Sequence, residues 1–130
     1  MRVLLFGTFD RLHPGHEFVL QEGLKRGDLH VVVARDVTVE RIKGHKPDQS
    51  EQKRMNAISE KFPDAHIVLG DNSDYLKPVK AIAPGLILLG YDQELPPGVG
   101  LEDLPCEVER LESFEPGRYK SSLRKGNEEK

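Results

Sequence analysis

Runs of apolar residues along the chain alternate with stretches in which apolar and polar positions are mixed. Continuous apolar, β-branched runs predict strands, whereas apolar residues spaced three and four apart predict helices. The predicted strands span residues 3–6, 29–34, 65–69, 86–89 and 107–111. The predicted helices span residues 18–24, 51–61 and 74–83, with Ser73 or Asp74 as the N-cap of the last. This alternation is typical of a parallel sheet whose strands are joined by crossover helices.

Two of the predicted strands contain runs, residues 31–33 and 86–89, that are apolar throughout. A strand without polar alternation is expected where helices cover both faces of a sheet. The sequence therefore predicts an α/β fold, a single Rossmann-like three-layer domain with a mainly parallel sheet of about five strands. We assign residues 1–125 to this domain and residues 126–130 to a flexible tail. In open sheets of this kind, ligands bind at the carboxyl ends of the strands.

Composition limits the class of protein and its partners. The chain has 130 residues, a formal net charge of -3 and 32% charged residues, so we expect one domain and no nucleic-acid partner. Cys106 is the only cysteine, which excludes an intrachain disulfide and favours a small buried hydrophobic role. No segment resembles a signal peptide or contains the roughly 20 apolar residues of a membrane span. We therefore expect a cytoplasmic protein without membrane contact.

The segment between the first predicted strand and the first predicted helix carries candidate phosphate-binding chemistry. It contains His13 and His16, three residues apart, with Gly15 between them. At the start of a helix both imidazoles can face a polyphosphate, while backbone N–H groups and the helix dipole add positive potential. The alternative is that the histidines lie at the helix start without binding a ligand and that Gly15 is a simple turn residue.

The Gly-Thr-Phe-Asp turn at residues 7–10, followed by His-Pro-Gly-His at residues 13–16, resembles the HxGH signature of the nucleotidyltransferase superfamily, which includes cytidylyltransferases and adenylyltransferases. Further segments are similar to one branch, the archaeal-type FAD synthases, which transfer AMP to FMN. These segments are residues 34–36, 38–39, 43–44, 47, 51, 54, 68–71, 74–75, 89–93 and 119–122. In total the resemblance covers residues 2 to about 125.

The resemblance implies a role for each matching residue. Nucleotidyl transfer needs positioning and charge neutralisation at the α-phosphate more than covalent help. The residues implied in catalysis are His13, His16 and Lys43. Those implied in nucleotide binding are Gly7, Thr8, Phe9, Gly15, Asp92, Tyr119, Ser121 and Ser122. Those implied in contacts with the acceptor or with phosphate are Asp10, Arg54, Arg118 and Lys120.

Several of these residues also have structural interpretations. An aspartate before a helix, such as Asp10, is commonly a turn or capping residue. In the alternative interpretation, Lys43 is a solvated surface lysine. In the same interpretation, Arg54 forms an intrahelical ion pair with Glu51 instead of binding phosphate. In the structural interpretation, Asp92 is part of a loop without a ligand contact, and Ser121 and Ser122 are helix caps.

Metal and partner expectations follow from the same resemblance. Mg²⁺ is expected to arrive with the nucleoside triphosphate and to be held mainly by phosphate oxygens, with no metal ligands from the protein. His30, His45 and His66 share no spacing that makes a metal site, so each is expected at the surface or at a strand edge. The expected small-molecule partners are ATP (or CTP) and a phosphorylated acceptor, with FMN favoured. The resembled proteins are usually homodimers, so a homodimer is expected.

Three functions remain open at this point. The first is transfer of AMP from ATP to FMN, giving FAD and pyrophosphate. The second is a CTP-dependent cytidylyltransferase acting on glycerol 3-phosphate or another alcohol phosphate, although residues 118–122 lack the glutamate and glycine of that branch. The third is a non-catalytic nucleotide-binding module, against which the intact His13, His16, Lys43 and Ser121 argue.

Two departures from the resembled pattern affect specificity. Gly85 stands where the resembled proteins tend to have an aspartate, and residues 94–102 are rich in proline and glycine. We expect both to lie over the side of the crevice that binds the acceptor and the base, which leaves the specificity for these groups open.

Overall fold

The computed structural model of the protein describes residues 1–91 and 93–112. Its strands are β1 (Arg2–Gly7), β2 (Asp28–Val33), β3 (His66–Leu69), β4 (Leu86–Leu89) and β5 (Glu107–Arg110). Its helices are α1 (Pro14–Arg26), α2 (Asp36–Lys43), α3 (Glu51–Lys61) and α4 (Lys77–Ile82), and a 3-10 turn spans Leu101–Asp103. The predicted assignment of residues 113–125 to the domain and of residues 126–130 to a tail lies outside the described residues.

The five strands form one sheet in the order β3-β2-β1-β4-β5, and every neighbouring pair is parallel. This confirms the predicted α/β fold with a parallel sheet. From β1 the chain proceeds outward to β2 and β3, and then returns to place β4 and β5 on the other side of β1. The strand order therefore reverses between β1 and β4, and a crevice opens there at the carboxyl ends of the strands.

Alternate residues of the central strands supply the two halves of the core. Leu5, Val31 and Leu88 belong to the cluster that includes Leu20 of α1 and Ile58 of α3. On the opposite face, the second cluster joins Leu4, Val32 and Ile87 to Val79 of α4. Because both faces are covered, the central strands are apolar at consecutive positions, as the sequence predicted. Cys106 is half-buried against the second cluster, and burial raises the pKa of its thiol.

Helix α1 begins four residues earlier than its apolar spacing predicted. His13 is the N-cap and Pro14 occupies the first turn, where the missing N–H of proline leaves no backbone hydrogen bond unmade. The apolar period marks only the part of α1 that packs on the sheet. The polar start of the helix therefore carries no hydrophobic signal, although this is the part that faces the crevice.

The last of the three predicted helices, which corresponds to α4, begins later than predicted, because two aspartates stabilise turns instead of capping it. Asp71 accepts hydrogen bonds from the backbone N–H groups of Ser73 and Asp74, and Asp74 accepts one from Leu76. The helix then starts at Lys77 with Leu76 as its N-cap, so the prediction of Ser73 or Asp74 in this position was wrong.

Helix α2 was not predicted from the sequence. Only Thr38 and Val39 of this helix are buried, while Val37 and Ile42 are exposed. A helix that buries two adjacent residues shows no clear period of 3.6, so its pattern does not differ from that of a loop. Within the described part of the chain no helix has the length and apolarity required to cross a membrane.

Candidate active site

A cleft of about 970 Å³ lies over the carboxyl ends of β1, β2 and β4, at the reversal of strand order. The start of α1 and one side of α2 complete its walls. His13, His16 and Lys43 line it together with Gly7, Thr8 and Asp10. The structure thus brings into one cleft most of the predicted residues that lie in the described part of the chain.

His13 caps α1 with its own ring. Its Nδ1 accepts hydrogen bonds from the backbone N–H groups of Gly15 (3.1 Å) and His16 (3.3 Å). An imidazole nitrogen accepts only when it carries no proton, so the proton of the neutral ring lies on Nε2. Nε2 is therefore the hydrogen-bond donor that His13 can offer to a ligand. The cap fixes both the orientation and the tautomer of the ring.

His16 stacks on His13, with the ring centroids 3.7 Å apart and the planes inclined by 16°. Its Nδ1 accepts from the backbone N–H of His13 at 3.4 Å, which completes a reciprocal capping box. Burial, followed by the electrostatic influence of His13 and Lys43, lowers the pKa of His16 to about 4. His16 is therefore neutral at pH 7, and its Nε2 is also a donor. Two imidazole donors are held side by side at the N-terminus of α1, where the helix dipole favours an anion.

Lys43 is the last residue of α2. Gly44 follows it in the left-handed conformation (φ 83°), and its N–H donates to the carbonyl of Glu40, which ends the helix. The lysine is exposed and lines the same cleft as His16, whose pKa it helps to lower. A long cationic side chain at the end of a helix can reach a bound triphosphate while its backbone stays in place.

Asp10 fastens the segment that follows α2 to the turn after β1. Its two carboxylate oxygens accept hydrogen bonds from the backbone N–H groups of Asp48 (2.7 Å) and Gln49 (2.9 Å). Burial opposes the charge of this carboxylate, but these hydrogen bonds and the nearby Arg54 and Arg11 lower the pKa of Asp10 below its usual value. These contacts favour a structural role for Asp10, as a link to the segment before α3 rather than as a local turn or capping residue.

The predicted contact of Arg54 with the acceptor or with phosphate was wrong, because the side chain of Arg54 is fully buried. Its guanidinium donates to the carboxylate of Asp36 (2.7 Å) and to the carbonyls of Thr8 (2.8 Å) and Gln49 (3.1 Å). A direct contact with phosphate does not fit a side chain with no exposed surface. The alternative of an ion pair with Glu51 was also wrong, because Glu51 accepts from the backbone N–H of Asp36 and lies near Arg35. Arg54 instead holds the ends of β1 and α2 together beneath the cleft.

The glycines of the motif make room for protein side chains. A Cβ at Gly7 would lie 2.5 Å from the ring of Phe9, and one at Gly15 would lie 3.0 Å from the ring of His13. Phe9 itself is 6% exposed, belongs to the core and contacts His16 edge to face. The space that the sequence had assigned to an approaching nucleotide is therefore taken by the two rings. A nucleotide contact by Phe9 would have to come mainly from its backbone.

Two residues that were not predicted as site residues shape the loop after β4. Gln93 accepts from the N–H of Gly90 (3.0 Å) and donates to the carbonyl of Phe6 (2.8 Å), which joins the ends of β4 and β1. Arg110, at the end of β5, donates to the carbonyls of Gly90, Tyr91 and Gln93. The available signal for Gln93 was a polar residue four positions after the end of the buried strand β4. Arg110 had no local signal, because its partners belong to another strand end.

The remaining predicted positions fall outside the described residues or away from the cleft. Those outside are Asp92, Arg118, Tyr119, Lys120, Ser121 and Ser122. Gly85 precedes β4 at the amino end of the sheet, where its N–H donates to the carbonyl of Arg2. The departure at Gly85 therefore lies on the opposite edge from the cleft and does not bear on acceptor specificity. The proline-rich stretch does bear on it, since Leu95, Pro96 and Pro97 line the cleft.

The strand order, and the cleft at the point where it reverses, define the class of protein as a Rossmann-like domain with a cleft over the ends of β1 and β4. The chain belongs to the cytidylyltransferase-like family, which its residues 4–109 match. Family membership and the relatives described next confirm the predicted resemblance to the nucleotidyltransferase superfamily, and the prediction that the chain is an enzyme of this kind.

Relatives and a solved structure are similar over most of the chain. The FAD synthase of Methanosphaerula palustris is 41% identical over 121 residues, which cover 91% of this chain and 76% of that protein. The FAD synthase of Aciduliprofundum boonei is 48% identical over 95 residues, which cover 72% of this chain and 63% of that protein. A crystal structure of the lipopolysaccharide core biosynthesis protein from Thermoplasma volcanium GSS1 superposes with a TM-score of 0.76 at 34% identity, covering 88% of this chain and 98% of that one.

Proposed function

We propose that this protein transfers AMP from ATP to FMN, giving FAD and pyrophosphate. The observation that carries the proposal is the stacked pair His13 and His16, which presents two Nε2 donors at a helix N-terminus inside the cleft. The choice of FMN and AMP rests on the relatives, several of which bear the name FAD synthase. Their names differ from that of the structural neighbour, so the substrate has to be tested directly.

The proposed reaction is an in-line displacement at the α-phosphorus of ATP. A phosphate oxygen of FMN forms the new P–O bond, and the bond from the α-phosphorus to the bridging oxygen breaks, so that pyrophosphate leaves with the electron pair. His13 and His16 donate hydrogen bonds to phosphate oxygens as negative charge shifts toward the leaving group. Lys43 neutralises the outer phosphates. Bound triphosphate favours the charged form of His16, so the pKa of this residue rises from about 4 when the nucleotide binds.

The cleft also supplies an apolar surface that suits a flat aromatic acceptor. Val39 and the exposed Ile42 of α2 line it, as do Tyr75 and Pro78 on the side of α4. Planar ring systems bind to apolar and aromatic surfaces of this type, with a few polar groups that set their orientation. Thr38 offers one such group, because its hydroxyl is buried at the cleft wall and has no hydrogen-bond partner within the described residues.

Mg²⁺ belongs to the proposal as an ion delivered with the triphosphate. Both carboxylate oxygens of Asp10 already accept backbone hydrogen bonds, and one oxygen of Asp71 accepts two. These contacts fit an ion that takes most of its ligands from phosphate oxygens and water. When bound, the ion would supply neutralising charge on the triphosphate.

Several finer points remain part of the proposal. Asp92 would recognise the base or ribose, and Arg118, Tyr119, Lys120, Ser121 and Ser122 would hold the outer phosphates. The protein would act in the cytoplasm as a homodimer, without a nucleic-acid partner. The net charge of -3 supports the absence of a nucleic-acid partner, because the positive charge needed to bind phosphate is confined to the cleft.

The proposal is tested by incubating the purified protein and Mg²⁺ with ATP and FMN, and measuring both FAD and pyrophosphate. Parallel reactions replace ATP with CTP and FMN with glycerol 3-phosphate. We expect FAD and pyrophosphate in equal amounts from ATP and FMN. Pyrophosphate only from CTP and glycerol 3-phosphate would instead favour the cytidylyltransferase alternative, and release from no pair would favour a non-catalytic module.

Variants then assign the reaction to this cleft. His13→Ala and His16→Ala should each lower kcat by about 100-fold or more, because each removes a donor that acts on the developing charge. Lys43→Ala should raise the KM for ATP as well as lower kcat. His45→Ala is the matched control, since His45 is exposed and, in the described part of the chain, its ring hydrogen-bonds to the carbonyl of Lys46 alone. Wild-type rates in all three cleft variants would place the chemistry elsewhere.

A further inference from the structure

A second cluster of ligand-type side chains lies at the edge of the sheet opposite the cleft. Asp28 and His30 are two residues apart on β2, so both side chains lie on the same face of the sheet. His66, the first residue of β3, pairs in register with His30. All three therefore share one face near the amino ends of their strands. Asp28 is roughly 16 Å along β2 from the end that borders the cleft, at about 3.3 Å per residue.

The two imidazoles converge on the single carboxylate. Nε2 of His30 lies 3.3 Å from Oδ2 of Asp28, and Nε2 of His66 lies 3.1 Å from Oδ1. The rings are stacked, with centroids 4.5 Å apart and an angle of 17° between their planes. One ligand atom from each residue can be chosen so that all three lie within 4.8 Å of one another. Both histidines thus present the nitrogen that most often ligates metals toward the same point.

These distances suit a tetrahedral ion. Zn²⁺ bound at about 2.0–2.1 Å by nitrogen and oxygen has its ligand atoms about 3.3 Å apart. The two histidine-to-carboxylate distances are close to this value but end on different oxygens of Asp28, so binding requires a rotation of the side chains that brings all three ligands to one ion. Two imidazoles and a carboxylate also favour zinc over magnesium, which prefers oxygen ligands alone.

The surroundings leave this cluster open to an ion from solvent. The side chains of His66 and Asp28 are 57% and 51% exposed, whereas that of His30 is 16% exposed. Arg2 is the register partner of Asp28 on β1, and its positive charge would oppose a metal if it lay against the carboxylate. Its guanidinium instead donates to the carbonyl of Ile82 at the end of α4. The arginine is thereby directed away from the carboxylate.

We propose that Asp28, His30 and His66 form a zinc site, with water as the fourth ligand. The site is separate from the proposed nucleotidyl transfer, because it lies at the amino ends of β2 and β3. An ion bound by residues of both strands joins the start of β2 to the start of β3, which is an edge strand of only four residues. Binding to the folded state alone therefore stabilises the fold. The sequence had indicated no metal site, because 36 residues separate His30 from His66 and only the pairing of β2 with β3 brings them together.

The test measures binding of ZnCl₂ to the full chain after treatment with a chelator, in a buffer that does not bind zinc. Calorimetric titration and the Tm of thermal unfolding are recorded for the wild type and for His66→Gln, a change at an exposed position that leaves the fold intact. We expect one zinc per chain and a rise in Tm for the wild type. His66→Gln should weaken binding by at least about tenfold, since even loss of an outer hydrogen-bond partner costs that much at metal sites.

The stacked His13 and His16 are the other pair that could attract zinc, so two controls are needed. The double variant His13→Gln/His16→Gln should keep the wild-type affinity and the rise in Tm, and His45→Gln should do the same. The proposal is overturned if the wild type binds no zinc, or if His66→Gln binds it as tightly as the wild type. It is also overturned if only the double variant loses binding, because the ion then belongs to the cleft.

Discussion

The guanidinium of Arg54 connects three segments of the chain that lie beneath the cleft. It contacts the carbonyl of Thr8 after β1, the carboxylate of Asp36 in α2 and the carbonyl of Gln49 before α3. The resemblance implied a phosphate contact for this residue and its spacing from Glu51 suggested an ion pair, and neither describes it. Thr8 and Asp36 are 46 and 18 positions away in sequence, and two of the three partners are backbone carbonyls, so no residue pattern identifies them.

Replacing Arg54 by methionine should lower the free energy of unfolding by about 3 kcal/mol, because it leaves two carbonyls and a carboxylate without their donor. Urea unfolding of the two proteins measures the difference. Lys53→Met is the matched control, an exposed lysine beside it on α3, and should change stability by less than about 0.5 kcal/mol. Equal effects of the two changes would contradict the role given to Arg54.

Thr38 offers a test of ligand binding that is separate from stability. Its Oγ1 is buried without a partner in the described residues, and the residue lines the cleft. Thr38→Val keeps the shape and removes an unsatisfied hydroxyl, so stability should stay the same or rise by up to about 1 kcal/mol. If the hydroxyl binds a substrate, the KM for that substrate should rise by about tenfold. Steady-state kinetics with each substrate varied in turn would show this, and unchanged KM values would leave Thr38 without a binding role.

At the scale of elements, the start of α1 combines a helix cap with the proposed catalytic donors. His13 caps the helix through Nδ1, and His16 returns the hydrogen bond through its own Nδ1. The hydrogen bonds that hold the helix end therefore also direct both Nε2 atoms outward. A Cβ at Gly15 would lie 3.0 Å from the ring of His13, so any larger residue would displace this ring.

The lowered pKa of His16 predicts how stability depends on pH. In the unfolded chain the residue binds a proton near pH 6.5, whereas burial and its neighbours hold the folded pKa at about 4. The lowered pKa of His16 therefore contributes to the free energy of unfolding in full above pH 6.5. This contribution is lost as the pH falls from 6.5 toward 4. We expect a loss of about 1–2 kcal/mol, less than the full linkage value because the ring is partly exposed.

His16→Gln isolates this effect, because glutamine also suits the third position of a capping box but does not titrate. Unfolding by urea at several pH values between 7 and 4 compares the variant with the wild type, and His45→Gln serves as the control. As the pH falls, the free energy of unfolding of the wild type should decrease relative to that of His16→Gln. A difference that stays constant with pH would mean that the folded pKa is not lowered.

At the scale of the whole molecule, an ion-pair network joins the edge of the sheet to α1. Arg26, the last residue of α1, donates two hydrogen bonds to Glu109 of β5 (2.8 and 3.0 Å) and two to Glu22, one to its carboxylate and one to its backbone carbonyl (2.8 Å each). Hydrogen bonds from Arg26 lower the pKa of Glu109 below its usual value. Since β5 pairs with β4 alone among the strands of the described residues, this bidentate contact is a second attachment of β5 to the domain.

Arg26→Met should lower the free energy of unfolding by about 1 kcal/mol, since a bidentate, half-buried contact exceeds the usual worth of a surface ion pair. A double-mutant cycle with Glu109→Gln measures the coupling. Lys25→Met, which removes an exposed contact with the same Glu22, is the control and should have little effect. Zero coupling between Arg26 and Glu109 would contradict this attachment.

The sequence by itself determined the layered fold and the position of the candidate phosphate-binding segment. Both depend on local signals: the apolar runs of the central strands, and the glycine and histidines that follow β1 within a few residues. The structure confirmed the parallel sheet and brought His13, His16 and Lys43 to one cleft. Local patterns were sufficient here because strand burial and helix capping involve residues that are close in the chain.

Only the tertiary structure decided which polar groups act on each other across the fold. The burial of Arg54, the loop contacts of Asp10 and Arg110, and the convergence of His30 and His66 on Asp28 all join residues from different elements. Such contacts depend on the register of the strands and on the path of the loops, since partners of this kind share no spacing along the chain. The same register that builds the cleft at the carboxyl ends of the strands builds the proposed zinc site at their amino ends.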